Sequence, residues 1–274
     1  MRVSPGPVAF SAASVLLLLL VAGAVLGMAV LVAMPALLEH LRGLPENPWW
    51  FWYRESGAGA AAPALWRIGA AAVAAIISFA AALRARAVYR VEQSPVIPFL
   101  LIFLFSLALE CLRAGTALLF AGDGPVSVSL LLTRVVYWGR FVGAFGLLAA
   151  ALYCTELGYR KFFFVAGVVL LVAFAMAAYI PLDRTVFLAQ LTWKLGDEQS
   201  VWFVNLAIVL LAVLTAAAAA LTRRGPRLVR LAIGVVFLGT CRELQFFAVQ
   251  PAALATGLAL QASGAILCLR AFRK

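Results

Sequence analysis

Eight long apolar runs, separated by short polar or basic stretches, make up this chain. They read as 8–38, 62–83, 96–120, 126–157, 162–180, 201–221, 228–249 and 252–269. About 20 apolar residues in a helix cross the hydrocarbon core of a bilayer. The pattern therefore predicts an all-α fold: a polytopic transmembrane helix bundle of about eight spans, forming one domain over residues 1–274. Small residues such as Gly139, Gly143 and Gly146 in the fourth run suit close approach of helix backbones in lipid. The first run needs one check. Arg2, the apolar stretch 15–21 and Ala22-Gly23-Ala24 have the layout of a signal peptide with a small-residue cleavage site. The run continues to Leu38, a length that favours an uncleaved first span.

Composition supports the membrane reading. The chain is 65% hydrophobic and 12% charged, with a mean hydropathy of +1.05. A soluble domain averages about 45–50% apolar and about 25% charged residues, and its core cannot hide such an excess. The net charge of +11 does not point to nucleic acid, because the basic residues cluster between apolar runs. Such clusters mark the cytoplasmic face. One set of connections and tails holds Arg2, Arg84, Arg86, Arg90, Arg160, Lys161, Arg223, Arg224, Arg227, Arg230, Arg270, Arg273 and Lys274 against Glu92 and Glu156. The alternate set holds Arg42, Arg54, Arg67, Arg184 and Lys194 against Glu39, Glu46, Glu55, Asp123, Asp183, Asp197 and Glu198. With an even number of spans, this places both termini in the cytoplasm. Short connections and an Ala/Arg-rich composition suit a bacterial inner membrane.

Two outward connections are long enough to carry structure. The first contains Pro48-Trp49-Trp50-Phe51-Trp52-Tyr53, whose rings belong at the headgroup level or over an outward-facing pocket. In the second, 181–200, Asp183 is placed to cap a short helix, with Phe187, Leu188, Leu191 and Trp193 along the membrane surface. His40, the only histidine, lies beside Glu39 and Arg42 and reads as an interface residue. Cys111, Cys154, Cys241 and Cys268 all fall inside apolar runs and read as small buried hydrophobes.

Most intramembrane chemistries need residues that this chain lacks. Haem needs axial ligands, commonly His. A zinc protease needs a His-Glu-x-x-His cluster, and a nucleotide site of the Walker type needs its Gly loop. Aspartyl proteolysis needs two facing Asp residues, and quinone-linked disulfide chemistry needs paired Cys. No recognised catalytic set, cofactor site or metal site is read from the sequence.

Ionisable groups inside spans are expensive, so each is a functional candidate. Six lie deep: Glu110 and Arg113 on the third run, Arg134 and Arg140 on the fourth, Arg242 and Glu243 on the seventh. Ser106, Glu110, Arg113 and Thr116 share one helical stripe. Tyr137 lies between Arg134 and Arg140. The short turn at Gly122–Pro125 makes the third and fourth spans antiparallel neighbours, and depth counted along the helices brings Glu110 opposite Arg134. Four Arg against two Glu leave positive charge in excess, and the planar fork of Arg suits carboxylate and phosphate. Glu110, Arg113, Arg134, Tyr137, Arg140, Arg242 and Glu243 thus form a candidate ligand site for a small anion or lipid headgroup, or a polar network that holds the helices together.

Ser94-Pro95-Val96-Ile97-Pro98-Phe99 through Phe103, Ser106, Glu110 and Arg113 resembles a motif of uncharacterised bacterial multi-pass membrane proteins. Arg134 through Phe141 is similar to a second stretch of such proteins. The resemblance covers about a quarter of the chain and implies a multi-pass membrane protein without a known activity. The functions open at this point are binding or transport of a small anion or lipid, a membrane-embedded sensor or signalling component, and a structural subunit of a larger complex. An enzyme acting on lipid has the least support. The partners expected are the lipid bilayer, an anionic small molecule or lipid, and a membrane or cytoplasmic protein; nucleic acid is not among them.

Overall fold

A proline ends the first helix. In the computed structural model, which describes residues 7–41, 44–45, 62–92, 94–155, 161–223, 225–248 and 250–272, α1 (Pro7–Ala33) stops before Met34, at φ −121° and ψ 80°, and α2 (Pro35–His40) begins at Pro35. Proline has no N–H to give, crowds the carbonyl four residues back, and pushes its predecessor out of the α region. The run 8–38 is therefore corrected to a helix followed by a short second one. His40 is exposed, with its Nδ1 2.9 Å from the Ala36 carbonyl oxygen. The aromatic segment 48–53 lies outside the described residues.

The remaining helices follow the apolar runs. They are α3 (Ala62–Glu92), α4 (Val96–Ala108), α5 (Leu112–Ala121), α6 (Val126–Tyr153), α7 (Phe162–Tyr179), α8 (Glu198–Arg223), α9 (Pro226–Phe247) and α10 (Pro251–Arg270). Pro226 and Pro251 open their helices where a missing N–H does no harm. A 3-10 turn at Leu109–Cys111 joins α4 to α5 in one rod. Helix α3 runs past the expected end at 83, so Arg84 and Arg86 stand on helix, and Arg67, assigned above to a connection, lies inside α3.

Among the described residues, six helical segments are long and apolar enough to cross a membrane: 64–89, 96–121, 126–153, 162–179, 198–223 and 251–270. The chain is a multi-pass membrane protein. Helix α1 adds an apolar stretch, Leu18–Ala33. Helix α9 has the length of a span, 22 residues, but carries Arg227, Arg230, Arg242 and Glu243 and falls short of the other six in apolarity.

The packing is a closed ring. In order around it, α3 packs on the α4–α5 rod, the rod on α6, α6 on α8, α8 on α9, α9 on α10, and α10 returns to α3. Helix α1 lies outside against α3 and α5, and α7 lies outside against α6. Helix α7 turns Phe163, Phe164, Leu171 and Phe174 outward, as a helix whose far side meets acyl chains does.

Small residues set the tightest contacts. A Cβ on Gly143 would run into the Ser106 side chain, one on Gly139 would stand 2.9 Å from Leu109 Cδ1, and one on Gly146 would stand 3.2 Å from Ile102. The glycine stripe of α6 thus seats the α4–α5 rod, meeting its polar stripe at Ser106. Gly234 and Gly264 do the same for α9 and α10, each Cβ position lying 3.0 Å from the other's carbonyl oxygen.

The connection 181–200 is a β-hairpin and not the surface helix expected. β1 (Leu182–Leu188) pairs antiparallel with β2 (Thr192–Leu195), with Phe187 opposite Trp193 and Leu188 opposite Thr192. Thr185, Val186 and Phe187 are strand-forming residues. Leu191 takes a positive φ of 62° in the turn. Phe187, Leu188, Leu191 and Trp193 are buried in protein. Phe187 stacks on Phe120 with centroids 4.2 Å apart, Trp193 Nε1 donates to Ser129 Oγ at 2.8 Å, and Thr116 Oγ1 donates to the Leu191 carbonyl. The hairpin therefore plugs the bundle between α5 and α6. Asp183 accepts hydrogen bonds from Thr185 N (2.9 Å) and Oγ1 (2.6 Å), which hold its carboxyl below the usual range. The helix cap of this region is Asp197, which accepts from Ser200 N at 3.1 Å at the start of α8 and is lowered in the same way.

Candidate functional site

Each of the six ring helices sends polar side chains inward, and together they form one path across the bundle. Gln261 of α10 donates through Nε2 to Ser78 Oγ and the Ala74 carbonyl of α3, both at 2.9 Å. Its Oε1 accepts from Gln245 of α9 at 2.8 Å. Arg113 of α5 donates to the Gln245 and Phe246 carbonyls at 3.3 and 3.4 Å and to Glu110 Oε2 at 2.7 Å. Glu110 Oε1 faces Arg140 Nη1 of α6 at 3.8 Å. Arg140 Nη2 meets both carboxylate oxygens of Glu243 of α9 at 3.0 Å. Arg242 donates to the Arg140 main-chain carbonyl and to Asn205 Oδ1 of α8 at 3.2 Å. Glu110, Arg113, Arg140 and Arg242 are each at most 4% exposed, and the Glu243 side chain is 12% exposed.

The predicted stripe Ser106, Glu110, Arg113 and Thr116 is buried along its whole length. Glu110 sits in the 3-10 turn, where the tighter winding sets the carboxylate apart from the regular helix on either side. The aromatic surroundings add to the cation sites. The Arg140 guanidinium lies 3.8 Å from the centroid of the Phe246 ring, and that of Arg113 lies 5.1 Å from the same ring. Such contacts strengthen when dry. Tyr137 packs edge-on against Phe246 with centroids 5.7 Å apart, between the cluster and the hairpin.

Arg134 stands elsewhere. Its Nη1 donates to the Ala177 and Ala178 carbonyls at 2.9 and 2.5 Å, in the last turn of α7. Glu110, expected to face Arg134, pairs instead with Arg113 and Arg140. The last carbonyls of a helix have no partner within it, and cations are favoured there. Arg134 takes that role for α7. Arg113 takes it for α9 at Gln245 and Phe246, jointly with Arg67, which donates to the Ala248 and Phe247 carbonyls at 3.1 and 3.3 Å.

Ser78, Asn205, Gln245 and Gln261 are members of this interior that charge counting passes over, and Arg67, counted with a connection, is a fifth. The signal available was single neutral polar residues at mid-span in otherwise apolar helices. All four cysteines are buried, and Cys111 Sγ donates to the Ala71 carbonyl at 3.3 Å.

What remains is a compact group of three guanidiniums (Arg113, Arg140, Arg242) and two carboxylates (Glu110, Glu243), one positive charge in excess. Arg does not lose its proton in proteins. Among the described residues, Nη1 of Arg140 and Nη1 of Arg242 are buried without a hydrogen-bond partner. Arg140 also meets Glu243 through one nitrogen only, and not as the parallel two-nitrogen fork that binds carboxylate best. Compared with models of known protein families, with curated proteins and with solved structures, the chain matches none.

Proposed function

We propose that this chain is an eight-span membrane protein that binds a small oxyanion, a carboxylate or phosphate, at Arg140 and Arg242. Arg113 and Tyr137 frame the site, and Glu110 and Glu243 occupy the guanidiniums when the anion is away. The reading is carried by one observation: two adjacent buried guanidiniums, in a cluster with excess positive charge, each keep a nitrogen without a hydrogen-bond partner, that of Arg140 having only the Glu110 carboxylate at 3.8 Å. An unpaired buried donor costs about 1–3 kcal/mol, more when charged, and an oxyanion would relieve two at once. Glu243, the most exposed member, would give way first and leave the Arg140 fork to the ligand. Arg134 is left outside the site by its place on α7. Transport follows only if the anion then leaves on the other side.

The alternative is a membrane-embedded sensor or a structural subunit in which the network only joins helices. In its favour, Arg113 and Arg67 satisfy carbonyls at the end of α9. In our proposal α1 and α9 complete the eight spans, both termini are cytoplasmic on the strength of the basic connections, and the membrane is a bacterial inner membrane.

The test is thermal unfolding of the purified protein with inorganic phosphate, succinate and chloride at matched ionic strength. Phosphate or succinate should stabilise the wild type and more strongly Glu243→Gln, and should not stabilise Arg242→Gln. No response beyond that to chloride would refute the site. For the topology, thiol labelling of Asp123→Cys from the cytoplasmic side, or failure of Gly225→Cys to label from it, would reverse the orientation.

A further inference from the structure

On the outside of the ring, between α3 and α10, lies a groove of about 490 Å³ that no part of the oxyanion site touches. Its floor is made of alanines, among them Ala80, Ala81 and Ala265, so the two helices pack without filling the space between them. Ile77 and Ala262 wall one end. Arg84, with Val88 one turn beyond it, and Arg270 stand toward the other, both arginines exposed. Along α3 the step from Arg84 back to Ile77 is seven residues, roughly 10 Å, and along α10 the step from Arg270 to Ile266 is roughly 6 Å. The groove is therefore graded along its length, cationic toward the C-terminal parts of α3 and α10 and apolar toward their middles. Among the described residues neither guanidinium has a carboxylate partner.

We infer that this groove is a binding site for an anionic phospholipid, its phosphate between Arg84 and Arg270 and an acyl chain along Ala80, Ala81 and Ile266. The occupant follows from charge and shape together. An acyl chain alone would fit any lipid, but two exposed guanidiniums with no carboxylate partner among the described residues select a net negative one, and each basic residue near the surface adds measurably to that attraction. A basic pocket between spanning helices is the form such sites take.

Thermal unfolding in neutral detergent is measured with added phosphatidylglycerol, phosphatidylcholine or glycerol 3-phosphate. Phosphatidylglycerol should stabilise the wild type well above phosphatidylcholine, and glycerol 3-phosphate, which lacks chains, should not. Arg84→Gln/Arg270→Gln alters exposed residues only, so it should unfold as the wild type does without lipid and bind phosphatidylglycerol about 30-fold more weakly. Ala80→Phe, which fills the groove and keeps both guanidiniums, should lose the preference too. Equal stabilisation by both lipids, a response to glycerol 3-phosphate alone, or retention of the preference in the double variant would overturn the site. So would a second copy of the chain covering this face, seen as a lipid-independent dimer by light scattering. The site stands apart from the oxyanion proposal: Arg242→Gln should keep the lipid preference, and Arg84→Gln/Arg270→Gln should keep the phosphate response.

Discussion

Arg242 donates its guanidinium to the main-chain carbonyl of Arg140, so two cations on neighbouring helices are bound to each other's element rather than kept apart. This is tolerable only because the Arg140 side chain points away, to Glu243 and Glu110, and because Asn205 takes part of the Arg242 fork. The three helices α6, α8 and α9 are tied at this point by one guanidinium.

The charges should be unequal in what their loss does. Arg140→Leu leaves Glu110 with only Arg113 and Glu243 with no guanidinium, and breaking a buried pair by removing one partner costs about 3–5 kcal/mol. Arg140→Leu with Glu243→Leu removes both charges and should recover most of that loss. Unfolding in detergent, run as a double-mutant cycle, reads the difference. Independent, additive losses would show that the pair is not coupled.

Helix contact at the glycine stripe gives a sharper steric prediction. Gly143→Ala should destabilise by about 1–3 kcal/mol, since the added methyl meets Ser106 in a packed interface. Gly167→Ala on α7 has open space within 4 Å of its new Cβ and should unfold at or slightly above the wild-type temperature. Equal effects at the two positions would argue against the α4–α6 contact.

How much of this was readable beforehand differs by element. The stripe from Ser106 to Thr116 and the small-residue face of α6 follow from helical spacing, and both are found where that spacing puts them. The partner of Glu110 did not follow, because counting residues along two antiparallel helices fixes depth and not rotation. Arg134 is at a reachable depth but points to α7. The break at Pro35 was legible in the sequence, since proline forbids the continuation, and apolarity masked it. The hairpin was missed because Phe187, Leu188, Leu191 and Trp193 read equally as one face of a surface helix. Its strands show in Thr185, Val186 and Phe187, but their burial depends on the slot between α5 and α6, which no local pattern encodes. Arg67 reads as a connection charge when every Lys and Arg near a helix start is assigned to the loop before it, although the run 62–83 contains it and α3 begins at Ala62.

Arg134→Ala should separate capping from binding. It leaves the Ala177 and Ala178 carbonyls without their donor, a loss of about 1.5–3 kcal/mol for hydrogen bonds to a charged group. The stabilisation by phosphate or succinate should survive unchanged in this variant, measured by the same thermal shift used for Arg242→Gln. Loss of the anion response with Arg134 would place the ligand nearer α7.

Acid should loosen the hairpin. The Asp183 carboxyl is held below its ordinary value by Thr185, so its hydrogen bonds contribute fully above the unfolded value of about 3.9 and are lost as pH falls through the lower folded value. Trp193 emission should stay constant from neutral pH to about 4 and shift only below it. Thr185→Ala, which removes one of the two donors to Asp183, should move the onset to higher pH. An onset that Thr185→Ala leaves in place would remove Asp183 from the account.

Helix α9 also bears on how the protein is made. An Arg opposes insertion of a helix, by about 2.5–3.5 kcal/mol when at its centre, and α9 carries four charged residues, Arg227 and Arg230 in its first turns and Arg242 and Glu243 in its last two. Taken alone, it is poorly suited to partition from the translocation machinery into lipid. It is tightly paired with α10 through Gly234 and Gly264, and its counter-charges reside in the 3-10 turn of the α4–α5 rod (Glu110) and on α6 (Arg140), which are synthesised earlier. Biogenesis should therefore proceed with the first part of the ring already in the bilayer, offering Glu110 and Arg140 as a receptor, and with the α9–α10 pair entering last and together. A chain that loses α10 should strand α9 outside the bilayer and reach quality control as an incomplete product.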